Sequence, residues 1–298
     1  MTTGRSAMCS ATPSASVAAT APSCWGGTMP EGLHCRIAGL ALIGPGLPGW
    51  AESRPMLTGE AAWVSAALDL PPPAILPPTE RRRTSASVRL ALAAATAAAA
   101  DSGLPPDGLD TVFASSNGDG TVVGGILEAL SRPDGVVSPT QFHNSVHNAA
   151  AGYWGIATGS TRSSVSLGCH DDSFPVGLMQ AGLWATTTGE PVLFCAYDAP
   201  LPPPLAERRP VEHALAVAMV LIPGASTGHG HGFHLHMLPG QRQAGKSWPA
   251  GPVSRALAGS NPIACALPLL EALAAGRVVV LDFDLLDGGS LRLSVEPC

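Results

Sequence analysis

Residues 164–182 read SVSLGCHDDSFPVGLMQAG. Four residues of strand character lead into a turn carrying Cys169, and the stretch that follows repeats its apolar residues at helical spacing. This is the outline of a nucleophile elbow, a tight strand-to-helix turn that holds a side chain at its apex. Two readings are open: Cys169 is the nucleophile of an acyl-transfer site, or the turn has kept its shape while its reactive residue has been replaced.

The flanking sequence sets the elbow in an α/β frame. Upstream, DTVFASSNGDG (110–120) predicts a strand and a glycine-containing loop, and TVVGGILEAL (121–130) predicts a helix. SPTQFHNSVHNAAAGYWGIATG (138–159) reads as a loop followed by a helix of small residues, and PVLFCAYDA (191–199) as a strand. Strand, loop and helix in alternation mark α/β units. Further out, CRIAGLALIGPGL from Cys35 predicts a buried strand, and an Ala-rich helix is expected from about Ser85 to Ala100, closed by Gly103. HALAVAMVLIPG (213–224) and FHLHML (233–238) read as two strands, antiparallel if they are hairpin-like. NPIACALPLLEALAAG (261–276) reads as a helix, and RVVVLDFDLL with SLRLSVEP as a closing hairpin. Residues 1–33 are low in complexity and expected to be disordered, with Met8 or Met29 as possible alternative starts, and 34–298 form one domain.

Bulk composition excludes several classes. The 298 residues are 46% hydrophobic, enough for a real core. Sixteen Lys plus Arg against twenty-two Asp plus Glu leave a net charge of −6, which speaks against nucleic acid as a partner. Seven scattered cysteines form no CxxC pair, so reduced thiols and a cytoplasmic location are expected rather than a disulfide framework. The longest apolar run, 90–100, is too short for a membrane span, and no secretory signal is evident.

The order FASSNGDG, SPTQFHNSVHNAAAGYWG, SVSLGCHDDSFPVGLMQAG and PVLFCAYDA resembles the N-terminal half of β-ketoacyl synthases of the thiolase-like fold. In particular it is similar to the short ketosynthase-like chain-length factors of aryl polyene and type II polyketide pathways. The resemblance covers roughly residues 35–222 and implies an α/β, thiolase-like fold whose second half is incomplete. Laid down without gaps from Asn148, the family pattern puts Ala151 and Gly152 on its Ala-Gly pair, Gly159 on its glycine, Val165 and Leu167 on the strand, and Leu178 and Ala181 on the buried helix face. The same register puts Asp171, not Cys169, at the nucleophile position.

Physical chemistry agrees with that register. A reactive thiolate needs a lowered pKa, and Asp171 and Asp172 beside Cys169 disfavour a second negative charge. Asp172 and Ser173 read instead as a cap for the following helix. The family also uses two later histidines in His-Gly-Thr and Asn-His contexts; neither context occurs among His213, His229, His231, His234 and His236.

The implied function is a non-catalytic chain-length factor that heterodimerises with a full ketosynthase and shapes the acyl tunnel while carrier-bound polyketide, polyene or fatty-acyl chains are extended. No catalytic residue, cofactor or metal is then expected. The alternatives are a minimal active synthase using Cys169, with His170 beside it, and a carrier-protein binding module. By the resemblance, Gln141, Phe142 and Ser145, with Val123, Ile126 and Leu127, line the tunnel or interface, or are plain core. Arg81, Arg82 and Arg83 are candidates for docking an acyl carrier protein, or form a solvated helix entrance. TGHGHGFHLHML (227–238) is the one metal-like cluster, but it lacks a Cys, Asp or Glu to complete a site. Gly118 and Gly120 lack the lysine or full motif of a phosphate loop.

Overall fold

The computed structural model describes residues 32–224, 233–241, 251–286 and 288–297; side chains at 233–236, 238–241 and 297 are likewise outside the description. Eight strands form one sheet: β1 (Leu33–Ile43), β2 (Asp110–Ala114), β3 (Ser164–Leu167), β4 (Val192–Asp198), β5 (Leu215–Pro223), β6 (Phe233–Gln241), β7 (Val279–Asp284) and β8 (Gly289–Pro297). The helices are α1 (Trp50–Thr58), α2 (Pro78–Arg81), α3 (Ala86–Ser102), α4 (Gly120–Leu130), α5 (Pro139–Asn144), α6 (Ala149–Thr158), α7 (Ser173–Thr188), α8 (Leu205–Arg208), α9 (Pro252–Leu257) and α10 (Leu267–Ala274).

The strand order is β3-β2-β4-β5-β1-β6-β8-β7. β2 runs parallel to β3 and β4, and every pairing from β4 to β7 is antiparallel. Helix α7 packs on one face, against β1, β2, β4 and β5, and α3 and α6 lie on the other. The two cores follow from this layering. Phe174, Leu178 and Ala181 of α7 meet Phe194, Met219 and Leu40 on one side; Ala91, Ala94, Ala95 and Ala98 of α3 meet Ala41, Cys195 and Ala218 on the other.

The small residues of α3 allow close approach. A Cβ on Gly39 of β1 would collide with the carbonyl oxygen of Ala98, so the strand and helix backbones meet where neither carries a side chain. The caps expected for α3 are present: Ser85 Oγ accepts from Val88 N at 3.3 Å, and Gly103 closes the helix in the left-handed region with φ of 67°.

Three expectations need correction. β5 and β6 are not a hairpin, because β1 lies between them and pairs with both. A pattern of local strands cannot reveal that a strand nearly two hundred residues earlier fills the gap. The stretch at 138–148 is not simply a loop, since Pro139 opens the short helix α5. The Asp172 side chain does not cap α7; it accepts instead from Leu286 N at 2.7 Å. The hairpin β7–β8 forms as expected.

Candidate functional site at the elbow

β3 ends at Leu167, a 3-10 turn spans His170–Asp172, and α7 begins at Ser173. The turn is tight enough to force His170 to φ of 53°, the one non-glycine residue with positive φ among those described. Buried Ser173 holds it in place. Its Oγ donates to the His170 carbonyl at 2.7 Å and accepts from Cys169 N at 3.1 Å. The elbow is thus a defined local structure.

The side chains at its apex are organised by Arg209, which follows α8. Its Nη2 donates to Asp171 Oδ1 at 2.6 Å, its Nε donates to Asn117 Oδ1 at 2.6 Å, and its Nη1 lies 2.7 Å from His170 Nε2. One guanidinium fork ties the elbow to the loop after β2, a geometry that a planar five-donor group supplies. His170 Nδ1 also lies 3.4 Å from Asp171 Oδ2. Asp171 is therefore engaged on both oxygens.

The loop after β2 rests in turn on Asp198 at the end of β4. This fully buried carboxylate accepts from Ser115 Oγ at 2.8 Å, Ser116 N at 3.0 Å, Ser116 Oγ at 2.6 Å and Asn117 N at 3.3 Å. Burial pushes its pKa up from the ordinary carboxylate value, and these hydrogen bonds oppose the shift. Asn261 Nδ2 donates to the Asp198 carbonyl at 3.1 Å, tying in the start of the C-terminal helices. His147 Nε2 lies 3.0 Å from the Ser115 carbonyl and packs against Gly168.

Cys169 is half-buried, and its thiol is pushed up from its ordinary value first by burial and then by Asp172. Among the described residues it has no imidazole partner to draw off its proton. Cys265 is exposed on a cleft of about 250 Å³ shared with Asp171, Asp172, Asp282 and Asp284, and its thiol is pushed up by partial desolvation in the cleft and by the two elbow carboxylates. A thiolate is disfavoured at both positions. On the other side of Asp171, Arg208, Arg209, Gly259 and Asn261 line a second cleft of about 270 Å³.

Five of the six tunnel or interface candidates lie on the packed pair α4 and α5, and Ser145 follows α5 directly as its C-cap. Gln141 covers Gly125, Ser145 Oγ donates to the Phe142 carbonyl at 2.8 Å, and Val123 and Ile126 are half-buried. Leu127 and Phe142 are 56% and 67% exposed. Leu130, Val146 and Ile156 extend the exposed apolar surface along α4, the α5–α6 junction and α6. In α4, whose polar side chains are Thr121 and Glu128, Gly120 alone is buried. A soluble helix apolar on most sides ordinarily lies inside a protein.

The arginine run is divided in use. Arg81 Nη2 donates to the carbonyls of Ala74 and Leu76, both at 2.9 Å, and Arg83 pairs with Glu80 at 3.2 Å. His229 and His231 lie outside the described residues, and His234 and His236 stand on β6. Among the described side chains no three His, Cys, Asp or Glu residues are grouped to hold a metal, and no described helix is long and apolar enough to cross a membrane. The sequence reading missed Arg209 and Asp198. The only signal for the first is an Arg-Arg pair before Pro210, and for the second a lone acid at the end of an apolar strand.

Residues 56–275 match the family described as Beta-ketoacyl synthase, N-terminal domain. No curated protein sequence matches the chain. Among solved structures, a chain of the ketosynthase ApeO in complex with its chain length factor ApeC from Xenorhabdus doucetiae is 24% identical, with a TM-score of 0.62, over 88% of this chain and 99% of that one. A chain of the ishigamide ketosynthase/chain length factor gives 13% identity and a TM-score of 0.66 over 89% and 99%. A chain of the AntDE:AntF complex, a type II polyketide acyl-carrier protein with its ketosynthase, gives 10% and 0.68 over 90% and 100%. These likenesses show the thiolase-like ketosynthase fold, and with the match over 56–275 the chain belongs to the family of β-ketoacyl synthase N-terminal domains.

Proposed function

We propose that this chain is a non-catalytic chain-length factor that pairs with a complete ketosynthase and bounds the acyl tunnel while carrier-bound chains are extended by decarboxylative condensation. The observation that carries the reading is the apex of the elbow. There a carboxylate is held by Arg209, while the nearby thiol of Cys169 is disfavoured as a thiolate. The nucleophile and its histidines then come from the partner subunit.

The exposed apolar surface of α4–α6 supports the second half of the reading. Leu127, Leu130, Phe142, Val146 and Ile156 would be sequestered by a second subunit, and among the described strands the adjoining β3 is the edge of the sheet, paired with β2 alone. The names of the structures above, ketosynthases with their chain length factors, suggest what that subunit is. An acyl carrier protein is the transient partner that delivers the chain.

Co-expression with a full-length ketosynthase encoded in the same genome tests the pairing. A one-to-one complex by native mass determination, lost when Leu127→Asp and Phe142→Asp are combined, is the expected result. Co-purification unaffected by that double substitution would move the interface elsewhere, and no complex with any such ketosynthase would refute the pairing.

A further inference from the structure

The face of the sheet opposite α7 carries a cleft that the proposed function does not use. Thr96, Ala99 and Ala100 of α3 stand at positions i, i+3 and i+4, and Trp154, Ala157 and Thr158 of α6 repeat that spacing, so each helix lines the cleft with one strip of neighbouring side chains. The alanines are too small to fill it. Its volume is about 380 Å³, larger than either cleft beside Asp171 and above the roughly 300 Å³ at which small-molecule sites begin.

The rest of the wall is held in place by local structure. Leu104 and Pro106 join it just after the Gly103 cap of α3. Ile75, 37% exposed, reaches it from the proline-rich run PPPAILPP (71–78). Leu76 beside it is buried, and Arg81 Nη2 donates to the carbonyls of Ala74 and Leu76 at 2.9 Å, so the residues on both sides of Ile75 are fixed. This gives the prolines and Arg81 a common purpose.

The polar groups of the wall define the ligand. Thr158 Oγ1 is occupied, donating to the Trp154 carbonyl at 2.9 Å and accepting from Ser160 N at 3.2 Å. The Thr96 hydroxyl and the Trp154 indole N–H have no hydrogen-bond partner among the described residues, and Trp154 is only 2% exposed. A buried donor without an acceptor is costly, and an indole N–H can only donate, so the missing group is an acceptor. No lining residue carries a charge. A carboxylate would therefore be desolvated without a cation to offset it, whereas a neutral carbonyl would not.

We propose that the α3–α6 cleft binds a neutral, medium-length aliphatic molecule with a single carbonyl group, its chain against Ile75, Leu104 and the alanines and its oxygen accepting from Thr96 and Trp154. The cleft lies across the sheet from α7 and apart from the elbow, so the proposal stands independently of the function given above.

The full chain is titrated calorimetrically with methyl octanoate and, separately, with octanoate, which differ at neutral pH chiefly in charge. One ester per chain is expected, with octanoate at least about tenfold weaker. Thr96→Val removes the hydroxyl at nearly constant shape and should weaken the ester about fivefold. Ala100→Phe, at an exposed position of α3, should fill the cleft and abolish binding. Melting of each variant without ligand checks folding, and if one fails to fold, the other decides. Ester binding as tight as the parent's in the folded Thr96 or Ala100 variant overturns the site. So does octanoate binding as tightly as the ester, or no ester binding up to its solubility.

Discussion

Arg209 Nη2 and Asp171 Oδ1 are 2.6 Å apart, and the same guanidinium reaches Asn117, so one side chain joins the elbow to the loop after β2. Asp171 is half exposed, and the pair alone is worth only about 0–1 kcal/mol. Its value is geometric. Arg209→Ala should lower stability by about 1 kcal/mol in urea unfolding, and Arg209→Lys should recover little of it, because a single ammonium cannot serve Asn117 and Asp171 with the geometry of the fork.

Cys169 should be a slow nucleophile. Burial first and Asp172 second raise its thiol, so alkylation followed by peptide mass should be slow at neutral pH and accelerate only in alkaline solution. Asp172→Asn removes the second cause and should shift that pH profile toward lower pH without removing the first. Fast labelling of Cys169 at pH 7 would contradict this description of the elbow.

Asp198 should make stability depend on pH in a definite direction. Its folded-state pKa lies above the unfolded carboxylate value, so the folded chain holds this proton more tightly and the group's contribution grows as pH falls from neutral through that raised pKa. Asp198→Ala strips Ser115, Ser116 and Asn117 of their shared acceptor and should cost about 2–4 kcal/mol at neutral pH. The gap between parent and variant in urea midpoint free energies should be wider at pH 5 than at pH 7.5.

Glu271, buried in α10, accepts from Gly251 N at 2.7 Å, Ser254 N at 2.9 Å and Ser254 Oγ at 2.6 Å, and so closes the N-terminus of α9 from outside the helix. Glu271→Ala leaves those donors unsatisfied and should destabilise the chain by about 2 kcal/mol. A change within 0.5 kcal/mol in thermal or urea unfolding would show that water replaces the carboxylate at no cost.

The isolated chain should self-associate through the α4–α6 surface. Leu127→Asp or Phe142→Asp should reduce the sedimenting mass of the purified protein and raise its solubility, since each places a charge at the centre of an exposed apolar patch. A monodisperse parent chain unaffected by either substitution would remove the case for this face as an interface.

Much of this architecture was legible because it is written locally. Ser85 and Gly103 bracket the Ala-rich α3, and the alternation of apolar strand, turn and helix at 164–188 gives β3, the elbow and α7 within two or three residues. What was not legible is what depends on distant pairing. β1 inserts between β5 and β6 by hydrogen bonds on both its edges, and Arg209 comes 38 residues after Asp171 in a loop with no periodicity to mark it. Asp172 misled for a related reason: its position before a helix suits a cap, yet the backbone amide of Leu286 in the β7–β8 hairpin claims its carboxylate.

In the function proposed above, the elbow of this chain carries shape and no chemistry. That reading is tested most directly by purifying the complex with the full-length ketosynthase and measuring malonyl-carrier condensation with Cys169→Ala in this subunit and, separately, with the partner's nucleophile removed. Activity should survive the first change and be abolished by the second. Loss of activity on Cys169→Ala in a complex that still assembles would contradict it and return Cys169 to the chemistry.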